Sequence, residues 1–319
     1  MSTPRLRPSL LSRKVVAKPW GGRALERVLG LPLEPGIQVG ETWEVYDRPE
    51  GSSRMKADGR TLAQWMAEDA EALLGHGVRP APGNRFPLLI KFIDAREALS
   101  VQVHPDDAMA AEEGDSGKTE AWVVLAAGPD ARIIRGVRAG VERAAFAAVA
   151  HGAEVEGLLQ SFTPRPGDAV RIPPGLIHAI GPDVVVYEVQ QNSDVTYRLY
   201  DWGRPREVHL DKGLRAARFD FPAETTVAGV HTEEGELLVR NEHFTLTRQA
   251  VDGPSTVSTH GKFKVGTVVH GRGTIGWRSR GEDPPMQIGL GDTVLVPACT
   301  GAVFVSSVGP LTILWAGPP

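Results

Sequence analysis

The sequence predicts a mainly β protein of two small barrels, with a minority of helices inserted in and around the first. Its 36 Gly and 25 Pro are spread along 319 residues and separate many short β-branched runs. That texture belongs to barrels and sandwiches rather than to βαβ repeats. A second observation is a weak internal repeat: residues 166–173 (Pro-Gly-Asp-Ala-Val-Arg-Ile-Pro) and 290–297 (Leu-Gly-Asp-Thr-Val-Leu-Val-Pro) both read as a Gly-Asp turn followed by an alternating strand that stops at proline. The third is a change of texture after Phe221-Pro222, beyond which only short strands and turns are expected. Residues 1–221 are therefore expected to form the larger domain and 222–319 a smaller barrel.

The individual elements follow from local pattern. Strands are expected at 88–92, 99–103, 121–126, 169–172, 184–189 and 293–296, where apolar and β-branched residues run between turn signals. The clearest helix is 61–74, where Thr61 can cap the start, Leu62, Trp65, Met66, Ala70, Leu73 and Leu74 form one stripe, and Gly75 stops it. A second helical region is expected over 141–162, broken near Gly152 and closed by Pro164 and Pro166, and a third short helix over 212–217.

Bulk composition narrows the function. A net charge of −4 leaves no basic excess for nucleic acid or anionic membranes. No run approaches the ~20 apolar residues of a membrane span, and the N-terminal stretch has Arg5, Arg7, Arg13 and Lys14 but no apolar core of a signal peptide. A cytoplasmic enzyme of small-molecule chemistry is expected. The single cysteine, Cys299, excludes an intrachain disulfide and multi-thiolate zinc sites, so a metal would be held by His, carboxylate or amide.

Such a set is present. Gln102 and His104 stand two apart on an expected strand, so both side chains share a face. Glu120 opens the next strand, and His178 follows the Pro173-Pro174-Gly175 turn. Two imidazoles, a carboxylate and an amide oxygen suit Zn2+ or a related divalent cation. The remaining histidines (76, 151, 209, 231, 243, 260 and 270) are read as ordinary surface or half-buried groups. The second copy of the repeat has no counterpart of His178, so the second barrel is expected to be structural.

These residues sit in longer motifs. They are 18–22 (Lys-Pro-Trp-Gly-Gly), 40–45 (Gly-Glu-Thr-Trp-Glu-Val), 87–95, 100–107 (Ser-Val-Gln-Val-His-Pro-Asp-Asp), 117–120, 172–179 and the amide- and aromatic-rich stretch 188–204. Together they resemble type I phosphomannose isomerases of the short bacterial branch, within the cupin superfamily. The resemblance spans the first two thirds of the chain. It implies jelly-roll barrels, a zinc ion held by Gln102, His104, Glu120 and His178, Arg198 as catalytic arginine, and conversion of mannose 6-phosphate to fructose 6-phosphate through a cis-enediol.

Aldose–ketose isomerisation also needs a base, for which Glu188, on the strand after His178, is the first choice. Lys118 and Lys91 are candidates for proton transfer or phosphate binding, Arg204 for phosphate, and Trp20 for a wall of the sugar site. The expected partner is a small sugar phosphate, acted on by a monomer or homodimer. Rival readings are isomerisation of an unphosphorylated aldose, an Fe2+ dioxygenase, to which Gln102 is poorly suited, and a sugar-binding barrel without catalysis.

Overall fold

A computed structural model describes residues 6–278 and 284–319. Four large sheets account for most of it, in two pairs. The first pair begins with a six-stranded sheet in the order Ala169–Ile172, Glu120–Ala127, Val184–Gln191, Leu88–Ala95, Val39–Val45 and Lys14–Gly22. Facing it is a five-stranded sheet ordered Leu159–Phe162, Ile133–Val137, His178–Ile180, Val101–Val103 and Tyr197–Tyr200. Neighbouring strands in both are antiparallel. This is the double-sheet form of a jelly roll.

The period of two along each strand splits its residues between faces. In the six-stranded sheet Ile93, Trp122, Val124, Val170, Val184 and Val186 turn inward to one core. Phe92, Val123, Val185, Tyr187 and Val189 turn outward and share a second core with helix Leu62–Leu74 and with Phe244, Phe263 and Leu295 of the C-terminal part. The rings of Phe86 and Phe263 lie 4.6 Å apart at that seam. The outer face of the five-stranded sheet is covered by Phe146 of helix Arg143–Val149 and by helix Leu210–Ala216.

The C-terminal residues form a seven-stranded and a four-stranded sheet. The edge of the larger one is Ser9–Leu10, which pairs with Thr293–Val296, so the chain's first strand belongs to the second pair of sheets. The repeat is visible in the bonding. Gly167 and Gly291 both adopt positive φ (94° and 82°), which favours glycine. Gly167 N donates to Val124 O and Val124 N to Asp168 O; Gly291 N donates to Val268 O and Val268 N to Asp292 O. The second unit has Lys264 where this match puts Glu120, as Val265–Val268 follow it as residues 121–124 follow Glu120.

Local expectations met mixed outcomes. Helix Leu62–Leu74 carries a full capping box between Thr61 and Gln64. The region 141–162 is not helical throughout: Arg143–Val149 is α-helix, Ala153–Leu158 is a 3₁₀ segment, and Leu159–Phe162 is a strand paired with Ile133–Val137. Pairing with an exposed edge overrides the local helical pattern there. The short third helix is Leu210–Ala216. No helix among the described residues is long and apolar enough to cross a membrane.

Candidate active site

Strand register places the polar residues in rows across the two inner faces. In the six-stranded sheet Trp43 lies opposite Lys91, Lys91 opposite Glu188, Glu188 opposite Trp122, and one row on, Gln190 opposite Glu120. In the five-stranded sheet the row is Arg135, His178, Gln102 and Arg198. The space between holds a cavity of about 260 Å³ lined by Lys91, Gln102, Lys118, Trp20, Glu188 and Arg198, among others.

Behind Gln102 and Lys118 of this lining, His104, Glu120 and His178 are all buried, and their donor atoms lie within 4.8 Å of one another. Among the described residues this is the one His/carboxylate group so arranged. His104 Nε2 is 3.3 Å from Glu120 Oε1, and His178 Nε2 is 3.7 Å from Oε2. Donors at ordinary Zn–N and Zn–O distances around one tetrahedral ion would be roughly 3.3–3.5 Å apart. Each imidazole is oriented from behind: His104 Nδ1 donates to Val195 O (3.0 Å) and His178 Nδ1 to Leu176 O (2.9 Å). Those bonds select the tautomer with a free lone pair on Nε2, as metal-bound histidines require. Burial lowers both imidazoles, His104 to about 3, which keeps them neutral.

Gln102 Nε2 donates to His178 Nε2 (3.2 Å), so its amide reaches the cluster; a half-turn of that amide puts its oxygen there. Neither oxygen of Glu120 accepts a well-formed hydrogen bond, although both are buried. Lys118 Nζ stands 2.5 Å from Oε1 and donates to His104 Nε2 (3.2 Å). Burial would raise the Glu120 carboxyl, but the charge of Lys118 above all, with the two histidines beside it, holds it well below the usual range. A buried carboxylate whose Oε2 has no hydrogen-bond partner and whose Oε1 meets only the Lys118 ammonium, set between two imidazole Nε2 atoms, is a site that fits a divalent cation.

Glu188 points inward, which its strand pattern had left open. Its Oε2 accepts from Trp122 Nε1 (2.8 Å), while Oε1 is buried and has no hydrogen-bond partner. Burial first, and then the negative charge of Glu120, push its carboxyl up to about 7. Arg198 lines the cavity, with Nη1 donating to Glu207 O and Nε buried without a partner. His209, read from sequence as an ordinary histidine, accepts from Arg198 N through Nδ1 (3.2 Å).

Arg204 is placed differently from Arg198: it does not line the cavity. Its guanidinium donates to Ala98 O (2.6 Å) and pairs with Asp201 (3.0 Å), fastening the loop to the Leu99 segment. Arg206 lines the cavity instead, gripped in bidentate fashion by the buried Asp201 at 2.6 Å on each oxygen. Sequence reasoning missed Arg206, Lys18, Ser100 and Asp194 as lining residues and gave no role to Glu41. For Glu41 the signal was present, since it falls in the quoted motif beside Trp43; for Arg206, in an aperiodic loop, no pattern distinguished it from Arg204.

Comparison with known proteins decides the family. The model for the type I phosphomannose isomerase catalytic domain matches residues 10–122. A mannose-6-phosphate isomerase of Streptococcus mutans is 34% identical, covering 84% of this chain and 86% of that protein. The chain belongs to the type I phosphomannose isomerase family. Another family member, the mannose-6-phosphate isomerase ManA of Bacillus subtilis, is 34% identical over 80% of this chain and 83% of its own length. The crystal structure of the mannose 6-phosphate isomerase from Bacillus subtilis superposes with a TM-score of 0.86 at 30% identity, covering 98% and 99% of the two chains. The phosphomannose isomerase of Salmonella typhimurium shares the fold at a TM-score of 0.79 and 17% identity, over 98% of this chain and 100% of that one.

Proposed function

We propose that this family member is a metal-dependent isomerase that interconverts mannose 6-phosphate and fructose 6-phosphate, with Zn2+ held by Gln102, His104, Glu120 and His178. The observation that carries the reading is the buried His104, Glu120 and His178 cluster, contacted by Gln102 and Lys118 of the cavity lining, beside a Glu188 whose buried Oε1 has no hydrogen-bond partner and which lines the same cavity. Bound there, the cation would supply Lewis-acid polarisation of the sugar oxygens at C1 and C2.

The side chains divide the remaining work. Glu188 Oε1 takes the C2 proton of the open-chain aldose and returns it to C1, which gives the ketose with no net change in atoms. Lys118, beside the metal cluster, relays the hydroxyl proton between O2 and O1. Arg198 is permanently charged and stabilises the enediolate without acting as an acid. Trp20, 3% exposed, closes one wall against water. Lys91 presents its charge to the sugar from the cavity floor, and Arg206 and Lys18 offer the phosphate a cationic rim that Arg204 supports through the loop.

A coupled assay of mannose 6-phosphate against mannose tests the reading. Turnover of the ester is expected, at a kcat/KM far above that of the free sugar; no turnover of the ester overturns it. Arg198 and Arg206 are expected to separate in the same assay. Arg198→Ala should lower kcat by about 10²–10³-fold, whereas Arg206→Ala should raise KM by roughly 10-fold or more with kcat little changed. Equal effects on both parameters in the two variants would refute that division. Metal analysis of the purified chain reads the identity of the ion.

A further inference from the structure

Lys91 occupies an unusual position for a buried ammonium. It sits in a strand buried along its whole length, with its side chain 5% exposed. Two carboxylates face it, Glu41 Oε2 and Glu188 Oε1, each 3.6 Å from Nζ. Both separations exceed the reach of a normal N–H···O hydrogen bond. The ammonium is thus suspended between two acids, with the Trp43 ring 5.4 Å away on the Glu41 side.

The two acids are not equivalent. Glu41 is anchored: its Oε2 accepts from Trp43 Nε1 (2.7 Å) and its Oε1 pairs with Lys18 Nζ (3.2 Å). Glu188 has one anchored oxygen, and the other, Oε1, is free. Glu41 and Trp43 are two apart on one strand and so share the inward face. Its carboxyl is held at about 2, where burial is outweighed by Lys91, Lys18 and the Trp43 bond. A lone Lys–Glu pair with side chains only 5% and 4% exposed would close to direct contact, because attraction grows as separation falls and is little screened there. A second, fixed anion on the far side opposes that closure.

We propose that Glu41 is a positioning residue for the isomerase reaction: it draws the Lys91 ammonium away from Glu188, which leaves Glu188 Oε1 open to the substrate and Lys91 free to meet the sugar. The inference rests on the reading of Glu188 as the base. Glu41 is no metal ligand, and its hydrogen-bond and ion-pair partners, Trp43, Lys18 and Lys91, are not ligands either.

The test compares Glu41→Gln, Glu41→Asp, Lys91→Met and the Glu41→Gln/Lys91→Met pair in the zinc-loaded enzyme, with zinc content and melting temperature as controls. Glu41→Gln should lower kcat by about 10–10²-fold, as misplacement of a group by about an ångström does, with KM within about threefold and zinc unchanged. Glu41→Asp should recover part of the loss and keeps the test alive if the Gln variant folds poorly. In the Lys91→Met background Glu41→Gln should add nothing, since it acts through Lys91. A crystal structure of Glu41→Gln should show Lys91 Nζ within hydrogen-bond distance of Glu188 Oε1. Unchanged kcat in both Glu41 variants, additive losses in the pair, or an unmoved Lys91 would each overturn the proposal. Glu188→Gln is assayed alongside: full activity there defeats the base reading itself, whereas an inactive Glu188→Gln with an unaffected Glu41→Gln defeats only the role of Glu41.

Discussion

Glu120→Gln should leave a chain that no longer retains its metal and has lost at least about 10³-fold in turnover, a loss of the size expected when an essential charge-stabilising group is removed. The carboxylate is the sole anion of the cluster, and its two oxygens face the two Nε2 lone pairs at 3.3 and 3.7 Å. A glutamine has the same shape but replaces one acceptor by a donor and removes the charge that balances a dication. Atomic absorption on the purified variant should find well under one ion per chain, and dialysis against Zn2+ should restore the chelated parent but not the variant.

A stability change should accompany it. Lys118 Nζ lies 2.5 Å from Glu120 Oε1, and both side chains are almost wholly buried, at 5% and 1% exposure. Removing one member of such a pair leaves an uncompensated charge and typically costs about 3–5 kcal/mol. Denaturant unfolding of the metal-free forms isolates this effect from metal binding. A Glu120→Gln variant that keeps one zinc ion and its activity would remove Glu120 from the ligand set.

How much of this was legible in the sequence depended on whether the signal was periodic. Gln102 and His104 read as one face because a strand alternates, and the structure puts Gln102 in line with His178 and Arg198 across the sheet. The Gly-Asp repeat was legible because both turns need a positive-φ glycine at the same step. The inward direction of Glu188 was not, since Val184, Val186 and Glu188 fit either a buried face or a chain turning outward; the register with Lys91 and Trp122 decides it. Strand Leu159–Phe162 was hidden inside a helical pattern because its partner, Ile133–Val137, is distant in sequence. Arg206 could not be told from Arg204, because what separates them is which guanidinium turns to Ala98 O and which is gripped by both oxygens of Asp201. The need for glycine at position 40 is likewise a matter of tertiary approach: a Cβ there would lie 2.5 Å from that of Lys18, in the wall that carries Glu41.

Glu188→Gln is the second large effect expected, a fall in kcat of about 10²–10⁴-fold, the usual range for loss of a positioned general base. The amide still accepts from Trp122 Nε1 through its oxygen, so KM and zinc content should change little. The pH dependence gives a sharper readout. A base works only when deprotonated, so activity is present above its pKa and lost as pH falls through it. Burial and the charge of Glu120 raise Glu188 to about 7, against an ordinary glutamate near 4.3. A cation bound to Glu120 offsets the second of those causes and leaves the first, so the acidic limb of kcat/KM should fall between these two values. In Glu188→Gln that limb should vanish from whatever activity remains. In Glu188→Asp it should persist with a lower rate, because the shorter side chain withdraws the free oxygen from the C2 proton. A limb unchanged in Glu188→Gln would assign the proton transfer to another group, and Lys118, 2.5 Å from Glu120 and lining the same cavity, would then be the residue to replace.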